Sequence, residues 1–222
     1  MARLKTLLSW SSGKDSAWTL HTLRADPRYE VVGLVTTVNR AADRVAMHAV
    51  RSELLRRQAD AAGVPLRVIE IPSPCSNDEY EAAMGKCIAA AVEEGVDCFA
   101  FGDLFLEDIR AYREAKLAST RIKPIFPIWG SDTTALANRM IAGGLRARIT
   151  CVDPRVLSRE FAGREFDAAL LASLPKGADP CGERGEFHTF AYDGPMFQAP
   201  VGIASGEVVE RDGFVFADLL AI

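Results

Sequence analysis

The sequence predicts an α/β fold in which a doubly wound, five-stranded parallel sheet is followed by a smaller α+β region. Over the first 130 residues, apolar runs of strand length alternate with amphipathic stretches of helical length, the pattern of consecutive βα units. A loop of small and polar residues, SSGKDS, follows the first apolar run directly. Beyond residue 130 the alternation gives way to mixed helices and short strands. We therefore expect two domains, residues 1–130 and residues 131–222.

Five apolar runs supply the predicted parallel strands. They cover residues 4–10, 30–38, 66–71, 96–103 and 122–126. Pro124 lies inside the last run, and proline cannot donate a hydrogen bond to a neighbouring strand. We therefore expect the fifth strand to form an edge of the sheet.

Apolar residues at helical spacing mark the helices between these strands. The predicted faces of the first three helices are Ala17, Trp18, Leu20 and Leu23; Met47, Val50, Leu54 and Ala61; and Tyr80, Met84, Cys87 and Ala91. A fourth helix carries Ile109, Tyr112 and Lys116. Ser76 and Glu79 have the spacing of a capping box, so the third helix should begin there. Gly63 should end the second helix.

The C-terminal region reads as α+β. We expect a helix from Thr133 that ends at Gly143 and Gly144, a strand at residues 148–152 and a helix over residues 166–174. A loop rich in proline and glycine follows, PKGADPCGERGEF, and then short strands. Residues 211–213, Arg-Asp-Gly, have the composition of a hairpin turn.

Composition excludes several classes of protein. Hydrophobic residues make up 49% and charged residues 25% of the chain, which is ordinary globular usage. The net charge of −4 offers no broad basic field, so tight binding to a nucleic-acid backbone is not expected. No apolar segment has the length of a membrane span or of an export signal, and the five cysteines are scattered without a CxxC pair. These features indicate a cytoplasmic protein with reduced thiols.

The SSGKDS loop carries the main chemical signal. It lies between a predicted buried strand and a predicted helix, where backbone N–H groups and the positive end of the helix can bind an anion. Small residues at Ser11, Ser12 and Gly13 allow phosphate oxygens to approach the backbone closely, and Lys14 adds a positive charge. We interpret the loop as a phosphate site with Lys14 and Asp15 in catalytic positions, on an exposed loop where both side chains contribute little packing.

Two further residues complete this loop. Ser16 can donate another hydrogen bond, and Asp15 fits an anion site if it helps to hold Mg²⁺ or caps the helix. A plain glycine turn with an aspartate cap is the alternative. A Walker A loop is excluded, because that motif needs a glycine where Leu8 stands and a serine or threonine where Asp15 stands.

The loop resembles the SGGxDS signature of the PP-loop ATP pyrophosphatases, an adenine nucleotide alpha hydrolase-like fold, with Ser12 in place of the second glycine. The resemblance implies a five-stranded parallel sheet with adenine bound beside the second strand. It also implies that ATP is split into AMP and pyrophosphate.

Four segments in order, SWSSGKDS, FGDLFLEDIR, PIFPIWG and CGERGEFHT, resemble the diphthine–ammonia ligase family and its bacterial-type relatives. Members of that family use ATP and ammonium to convert a carboxylate on a modified histidine of translation elongation factor 2 into an amide. In the last segment Arg184 stands where the family run Glu-Gly-Gly-Glu has a glycine, and His188 precedes Thr189.

Other candidate residues follow the fourth strand. Gly102 and Asp103 end that strand, where they can contact a nucleotide or Mg²⁺ or simply form a turn. Arg110 and Arg113 alone would indicate a solvated helix face, whereas the family resemblance implies that one of them binds a phosphate or a substrate carboxylate.

The segment of residues 179–189 concentrates polar side chains among glycines. We expect it to face the SSGKDS loop, with Glu183 and Glu186 as catalytic carboxylates that serve the amine or the acceptor. Cys181 and His188 are candidate substrate contacts. An ordinary polar surface loop is the alternative.

The leading functional hypothesis is an ATP-dependent, AMP-forming ligase that adenylates a carboxylate and joins it to ammonia or another amine. The expected cofactors are ATP and Mg²⁺. The expected partners are the carboxylate acceptor, either protein-bound or a small molecule, and the amine; the sequence leaves open whether the chain forms a homodimer. The alternatives are an ATP-sensing module without turnover and a PP-loop enzyme that modifies RNA.

Overall fold

A computed structural model describes residues 2–39, 44, 45, 50–72 and 74–222. The N-terminal half forms a parallel sheet with the strand order β4-β2-β1-β5-β6. These strands are β1 (Leu4–Ser9), β2 (Tyr29–Asn39), β4 (Leu66–Ile71), β5 (Cys98–Ala100) and β6 (Lys123–Ile125). A two-residue strand, β3 (Arg44–Val45), pairs antiparallel with the end of β2. The predicted parallel α/β sheet is confirmed, and β6 with Pro124 lies at an edge as expected.

Helices connect the strands. They are α1 (Lys14–Ala25), α2 (Ser52–Ala62), α3 (Asn77–Glu93) and α4 (Glu107–Leu117). The predicted capping box is present, since Ser76 accepts from the backbone of Glu79 and Glu79 accepts from the backbone of Ser76. The predicted face of α2 began at Met47, which lies outside the described residues, and the helix itself begins at Ser52.

The C-terminal region is an antiparallel sheet with the order β8-β7-β10-β9. Its strands are β7 (Arg146–Val152), β8 (Phe187–Asp193), β9 (Ile203–Arg211) and β10 (Phe214–Ala221), with helices α5 (Thr133–Ala142) and α6 (Ala168–Ser173) beside them. The helix predicted from residue 166 begins later, because Asp167 caps it by accepting from the Leu170 N–H at 2.7 Å. Asp212 and Gly213 both have positive φ, 53° and 79°, as a two-residue hairpin turn requires.

The two regions share a continuous apolar core. Leu8 and Leu34 of the parallel sheet belong to the same buried cluster as Phe166, Phe187 and Phe190 of the C-terminal region. The expected division at residue 130 lies in the connection between β6 and α5. This packing brings the start of β8 against the SSGKDS loop. No helix in the described part of the chain combines the length and apolar character of a membrane span.

Candidate active site

A cavity of about 530 Å³ lies at the carboxyl ends of β1, β2 and β5. Its walls are the SSGKDS loop, residues 35–37 of β2, Gly102 and Asp103 after β5, part of α4 and the 179–189 segment. Ligands of doubly wound sheets bind at this edge, and binding sites of small molecules commonly measure ~300–1,000 Å³. The structure therefore brings the SSGKDS loop and the 179–189 segment together around one cavity.

The SSGKDS loop turns through a left-handed conformation at Ser12, where φ is 69°. The Ser12 carbonyl accepts from the Ala191 N–H of β8 at 3.0 Å. The side chain is fully buried, and its hydroxyl has no hydrogen-bond partner among the described residues. Glycine adopts this conformation without strain, so serine at this position of the SGGxDS pattern stores conformational energy.

Gln58 of α2 anchors this turn, a role that we did not predict. Its side chain is fully buried, accepts from the Trp10 indole N–H at 2.7 Å and donates to the carbonyls of Ser12 and Ala191 at 2.9 and 2.5 Å. The sequence signal was available, because a glutamine four residues after Leu54 interrupts the apolar stripe of α2. A buried amide on such a face must find partners.

The other small residues of the loop order its backbone. Ser11 Oγ accepts from the Gly13 N–H at 3.3 Å and lies 3.2 Å from Ser16 Oγ, which donates to the Gly13 carbonyl at 2.9 Å. Ser11 and Ser16 line the cavity, whereas Ser12 and Gly13 do not. Within this loop, only the hydroxyls of Ser11 and Ser16 are therefore placed to contact a ligand directly.

Lys14 is buried, contrary to the expectation of an exposed loop lysine. Its side chain is 2% exposed, and its Nζ lies 2.8 Å from Asp15 Oδ2 and donates to the Cys181 carbonyl. The Nζ also lies over the rings of Phe166 and Phe187, 5.5 and 5.3 Å from their centroids. Burial alone would lower the pKa of Lys14, but the charge and hydrogen bond of Asp15, together with Cys181 and Glu183, outweigh it and the pKa is raised. Lys14 thus carries a positive charge that joins the two loops.

Two carboxylates at the cavity each have an oxygen without a hydrogen-bond partner among the described residues. Asp15 Oδ1 and Asp103 Oδ2 are buried without a hydrogen-bond partner in the described part of the chain, and Arg113 Nε lies 3.7 Å from Asp103 Oδ2. Burial raises the pKa of Asp103, with Arg113 opposing it. The described residues contain no cluster of three or more metal-ligating side chains. Mg²⁺ beside phosphates commonly uses one or two carboxylates, so Asp15 and Asp103 fit such an ion.

Gly102 and the two candidate arginines have different positions. A Cβ on Gly102 would lie 3.2 Å from the backbone carbon of Asp15, so glycine allows the end of β5 to approach α1. Arg113 lines the cavity, with its guanidinium 5.0 Å from the Phe101 ring. Arg110 does not line it, because its guanidinium pairs with Glu114 at 2.8 Å and lies over the rings of Phe126 and Trp129. In this structure Arg110 lies away from the cavity, and a substrate contact of Arg110 stays a prediction.

The two glutamates of the 179–189 segment have separate roles. Glu183 lines the cavity and accepts from the Leu104 N–H at 2.7 Å, and burial raises its pKa to about 7. Glu186 is 4% exposed, does not line the cavity and accepts from the backbone N–H groups of Asp179 and Arg184, both at 2.9 Å. In this structure Glu186 holds the backbone of the loop that carries Glu183, and a catalytic role of Glu186 stays a prediction.

Cys181 and His188 also line the cavity. The Cys181 thiol points to the Thr133 carbonyl at 3.4 Å, and burial raises its pKa to about 12, which makes it a poor nucleophile. Burial and the charge of Lys14 lower the pKa of His188 to about 4, so this imidazole is neutral near pH 7. Thr189, which we did not predict, accepts from the Lys14 backbone N–H at 3.0 Å.

The strained turn at Ser12 generates a stability prediction. We expect Ser12→Gly to raise the free energy of unfolding by about 1 kcal/mol, because it removes the left-handed strain and a buried hydroxyl without a partner. Denaturant unfolding measures the change. The matched control is Asp212→Gly at the other described non-glycine residue with positive φ. Aspartate tolerates this conformation and Asp212 is exposed, so the control should change stability less. Equal effects, or a loss of stability in Ser12→Gly, would contradict the assignment of strain.

Comparisons with known proteins identify the relatives of this chain. The diphthamide synthase N-terminal domain model matches residues 4–117, and the diphthamide synthase C-terminal domain model matches residues 132–217. A diphthine–ammonia ligase from Danio rerio is 30% identical over 175 residues, covering 72% of this chain and 68% of its own. The Homo sapiens protein of the same name is 26% identical over 186 residues, covering 82% and 69%.

A solved structure, the U34-tRNA thiolase NcsA from Methanococcus maripaludis, aligns with a TM-score of 0.40 and 15% identity over 63% of this chain and 57% of that one.

The family resemblance drawn from the four sequence segments is confirmed by the two domain models, which match in order along the chain. This protein belongs to the diphthamide synthase family.

Proposed function

We propose that this protein is an ATP-dependent, AMP-forming ligase of the diphthine–ammonia ligase type. The proposal rests on one observation: the SSGKDS loop and the 179–189 segment line the same cavity. Asp15 of the SSGKDS loop, Asp103 after β5 and Glu183 of the 179–189 segment all line it. A phosphate-binding element and a carboxylate with a pKa raised to about 7 are the two groups that adenylation followed by amide formation requires.

The nucleotide phosphates are proposed to lie against the start of α1. Ser11 and Ser16 supply hydroxyl donors there, and the helix end favours negative charge. Asp15 and Asp103 would hold Mg²⁺ through their unpaired oxygens. Bound there, the ion would neutralise charge on the phosphate oxygens. Lys14 contributes a fixed positive charge from beneath the loop, although its ammonium is already paired with Asp15.

The proposed reaction has two steps. First, an oxygen of the acceptor carboxylate attacks the α-phosphorus of ATP, the bond to the β-phosphate oxygen breaks, and pyrophosphate leaves. Second, the nitrogen of ammonia attacks the carbonyl carbon of the acyl-adenylate, the bond to the AMP oxygen breaks, and the amide forms. The attacking nitrogen must lose a proton, and the Glu183 carboxylate is placed in the cavity to accept it.

The 179–189 segment also protects the intermediate. An acyl-adenylate reacts with water, so a covering element over the phosphate loop favours the amine. Glu186 holds this segment through two backbone N–H groups, and Lys14 holds the Cys181 carbonyl. His188 is neutral at the cavity wall and can exchange hydrogen bonds with the substrate without adding charge.

The raised pKa of Glu183 generates a paired prediction on rate and stability. We expect Glu183→Gln to lower amide formation by ~10²-fold or more and to remove a rise in rate with pH through about 7. The supply of free ammonia must be held constant, since it also rises with pH. Single-turnover yield and nucleotide affinity are measured together, and nucleotide affinity should be retained.

The same substitution, Glu183→Gln, should lower the rate of amide formation but raise the stability of the folded protein at pH 8. A carboxyl group whose pKa rises from 4.5 to about 7 on folding contributes stability below about 4.5 that is lost as the pH rises through 7. Glutamine does not ionise, so the variant avoids this loss of stability. Its free energy of unfolding should exceed that of the parent at pH 8 but not at pH 4. An unchanged pH profile of the rate together with unchanged stability would exclude this role of Glu183.

The function is tested by its products. Purified protein is mixed with ATP, Mg²⁺, ammonium and elongation factor 2 that carries diphthine. We expect AMP, pyrophosphate and amide in equal amounts. The control is the same factor without the modified histidine, which should give no amide. ATP binding without any turnover would favour a nucleotide-sensing module over a ligase, and formation of ADP instead of AMP would contradict an AMP-forming reaction.

A further inference from the structure

Gln58 contacts the SSGKDS loop without lining the cavity. It belongs to α2, and its side chain is fully buried. A buried amide is unfavourable unless its polar groups find partners. Its oxygen accepts from the Trp10 indole N–H, and its nitrogen donates to the carbonyls of Ser12 and Ala191. Both N–H groups and the carbonyl oxygen of the amide are therefore used.

The partners of Gln58 require an amide. They are one indole N–H and two backbone carbonyls, so the side chain between them must accept one hydrogen bond and donate two. An ionised carboxylate has no donor, and an ammonium has no acceptor. Ala191 belongs to β8, 133 residues further along the chain, so the amide joins α2, the SSGKDS loop and the C-terminal sheet. A fully satisfied buried network of this kind favours a single geometry.

The Ser12–Gly13 peptide connects Gln58 to the cavity. The Ser12 carbonyl accepts from Gln58 Nε2 at 2.9 Å and from the Ala191 N–H at 3.0 Å. In a planar trans peptide the N–H points opposite to the carbonyl. The Gly13 N–H donates to Ser11 Oγ at 3.3 Å, and Ser11 lines the cavity. Gln58 thus fixes the direction of a peptide at the start of α1 from the side that faces away from the cavity.

We propose that Gln58 is a positioning residue for the nucleotide phosphates. It holds the Ser12–Gly13 peptide so that the backbone N–H groups at the start of α1 face the phosphate, and this inference rests on the proposed function, which assigns phosphate to that loop. Donors that are already oriented need no reorganisation when the anion binds. A turn that is free to rotate should therefore bind phosphate more weakly. The role of Gln58 concerns phosphate alone, so binding of a nucleoside should not depend on it.

The test removes the hydrogen bonds of Gln58 in two ways. Gln58→Met keeps the length of the side chain and removes every hydrogen bond, whereas Gln58→Glu keeps the shape and cannot donate to either carbonyl once it is ionised. The matched control is Gln198→Glu, at the other glutamine of the chain, which is exposed.

Three probes separate phosphate from nucleoside: a non-hydrolysable ATP analogue, inorganic tripolyphosphate with Mg²⁺, and adenosine. The first two are titrated by calorimetry and adenosine by NMR. Each affinity is expressed as a ratio to the parent at the same pH, and amide exchange of the β9–β10 hairpin reports whether each variant is folded.

We expect Gln58→Met to weaken the ATP analogue and tripolyphosphate by about tenfold each and to leave the affinity for adenosine unchanged. Burial raises the pKa of the carboxyl group introduced by Gln58→Glu, which should be neutral at about pH 6 and ionised at about pH 9. When neutral it keeps one donor, and when ionised it faces two carbonyl oxygens. Its phosphate affinity relative to the parent should therefore fall about tenfold further between these pH values. Gln198→Glu should match the parent throughout.

Parental affinity for tripolyphosphate in folded Gln58→Met would overturn the proposal. An equal loss of adenosine affinity would do so too, since it would show a general loosening of the site. Should Gln58→Met not fold, the pH dependence of Gln58→Glu decides, and a constant ratio to the parent overturns the proposal. Failure of the parent to bind either phosphate probe would refute the proposed function and this inference with it, whereas binding that is insensitive to Gln58 would count against this inference alone.

Discussion

The buried ammonium of Lys14 is the contact on which the site depends. A charge removed from water is costly unless it is paired and hydrogen-bonded, and breaking such a buried pair commonly costs ~3–5 kcal/mol. Lys14 meets this requirement with partners from both halves of the chain: the Asp15 carboxylate, the Cys181 carbonyl and the rings of Phe166 and Phe187. The 179–189 segment cannot move away from the SSGKDS loop without removing partners from this charge.

The carboxylates in and around the cavity differ in how fully they are hydrogen-bonded. Asp15 uses one oxygen to pair Lys14 and leaves the other without a partner, and Glu186 spends both oxygens on the backbone of its own loop. Glu183 retains one backbone contact and lies in the cavity, where burial gives its carboxyl group a pKa suited to proton transfer at neutral pH. Glu186 is thus fully hydrogen-bonded, whereas Asp15 keeps one oxygen without a hydrogen-bond partner among the described residues.

Local pattern was sufficient to predict the architecture. Apolar runs and helical spacing predicted the parallel sheet, Pro124 predicted the edge strand, and Asp212 with Gly213 predicted the hairpin turn. Each of these features depends on a few neighbouring residues. The position of the SSGKDS loop between a strand and a helix was likewise predictable, because it depends on one short segment.

Features that depend on contacts between distant segments were not predictable in the same way. The neighbouring sequence does not distinguish Glu183 from Glu186, since each directly follows a glycine. Only the folded loop brings Glu183 to the wall of the cavity. Lys14 looked exposed because the aromatic rings that bury it lie more than 150 residues away. Arg110 and Arg113 differ by less than one helical turn, yet one stacks on Phe126 and Trp129 while the other reaches the cavity.

Amide hydrogen exchange of Lys14→Met tests whether Lys14 joins the SSGKDS loop and the 179–189 segment into one site. We expect faster exchange in both segments, while the β9–β10 hairpin keeps the protection of the parent and reports an intact fold. Parental protection in the 179–189 segment of the variant would show that the segment is held in place without the buried charge, contrary to this role of Lys14.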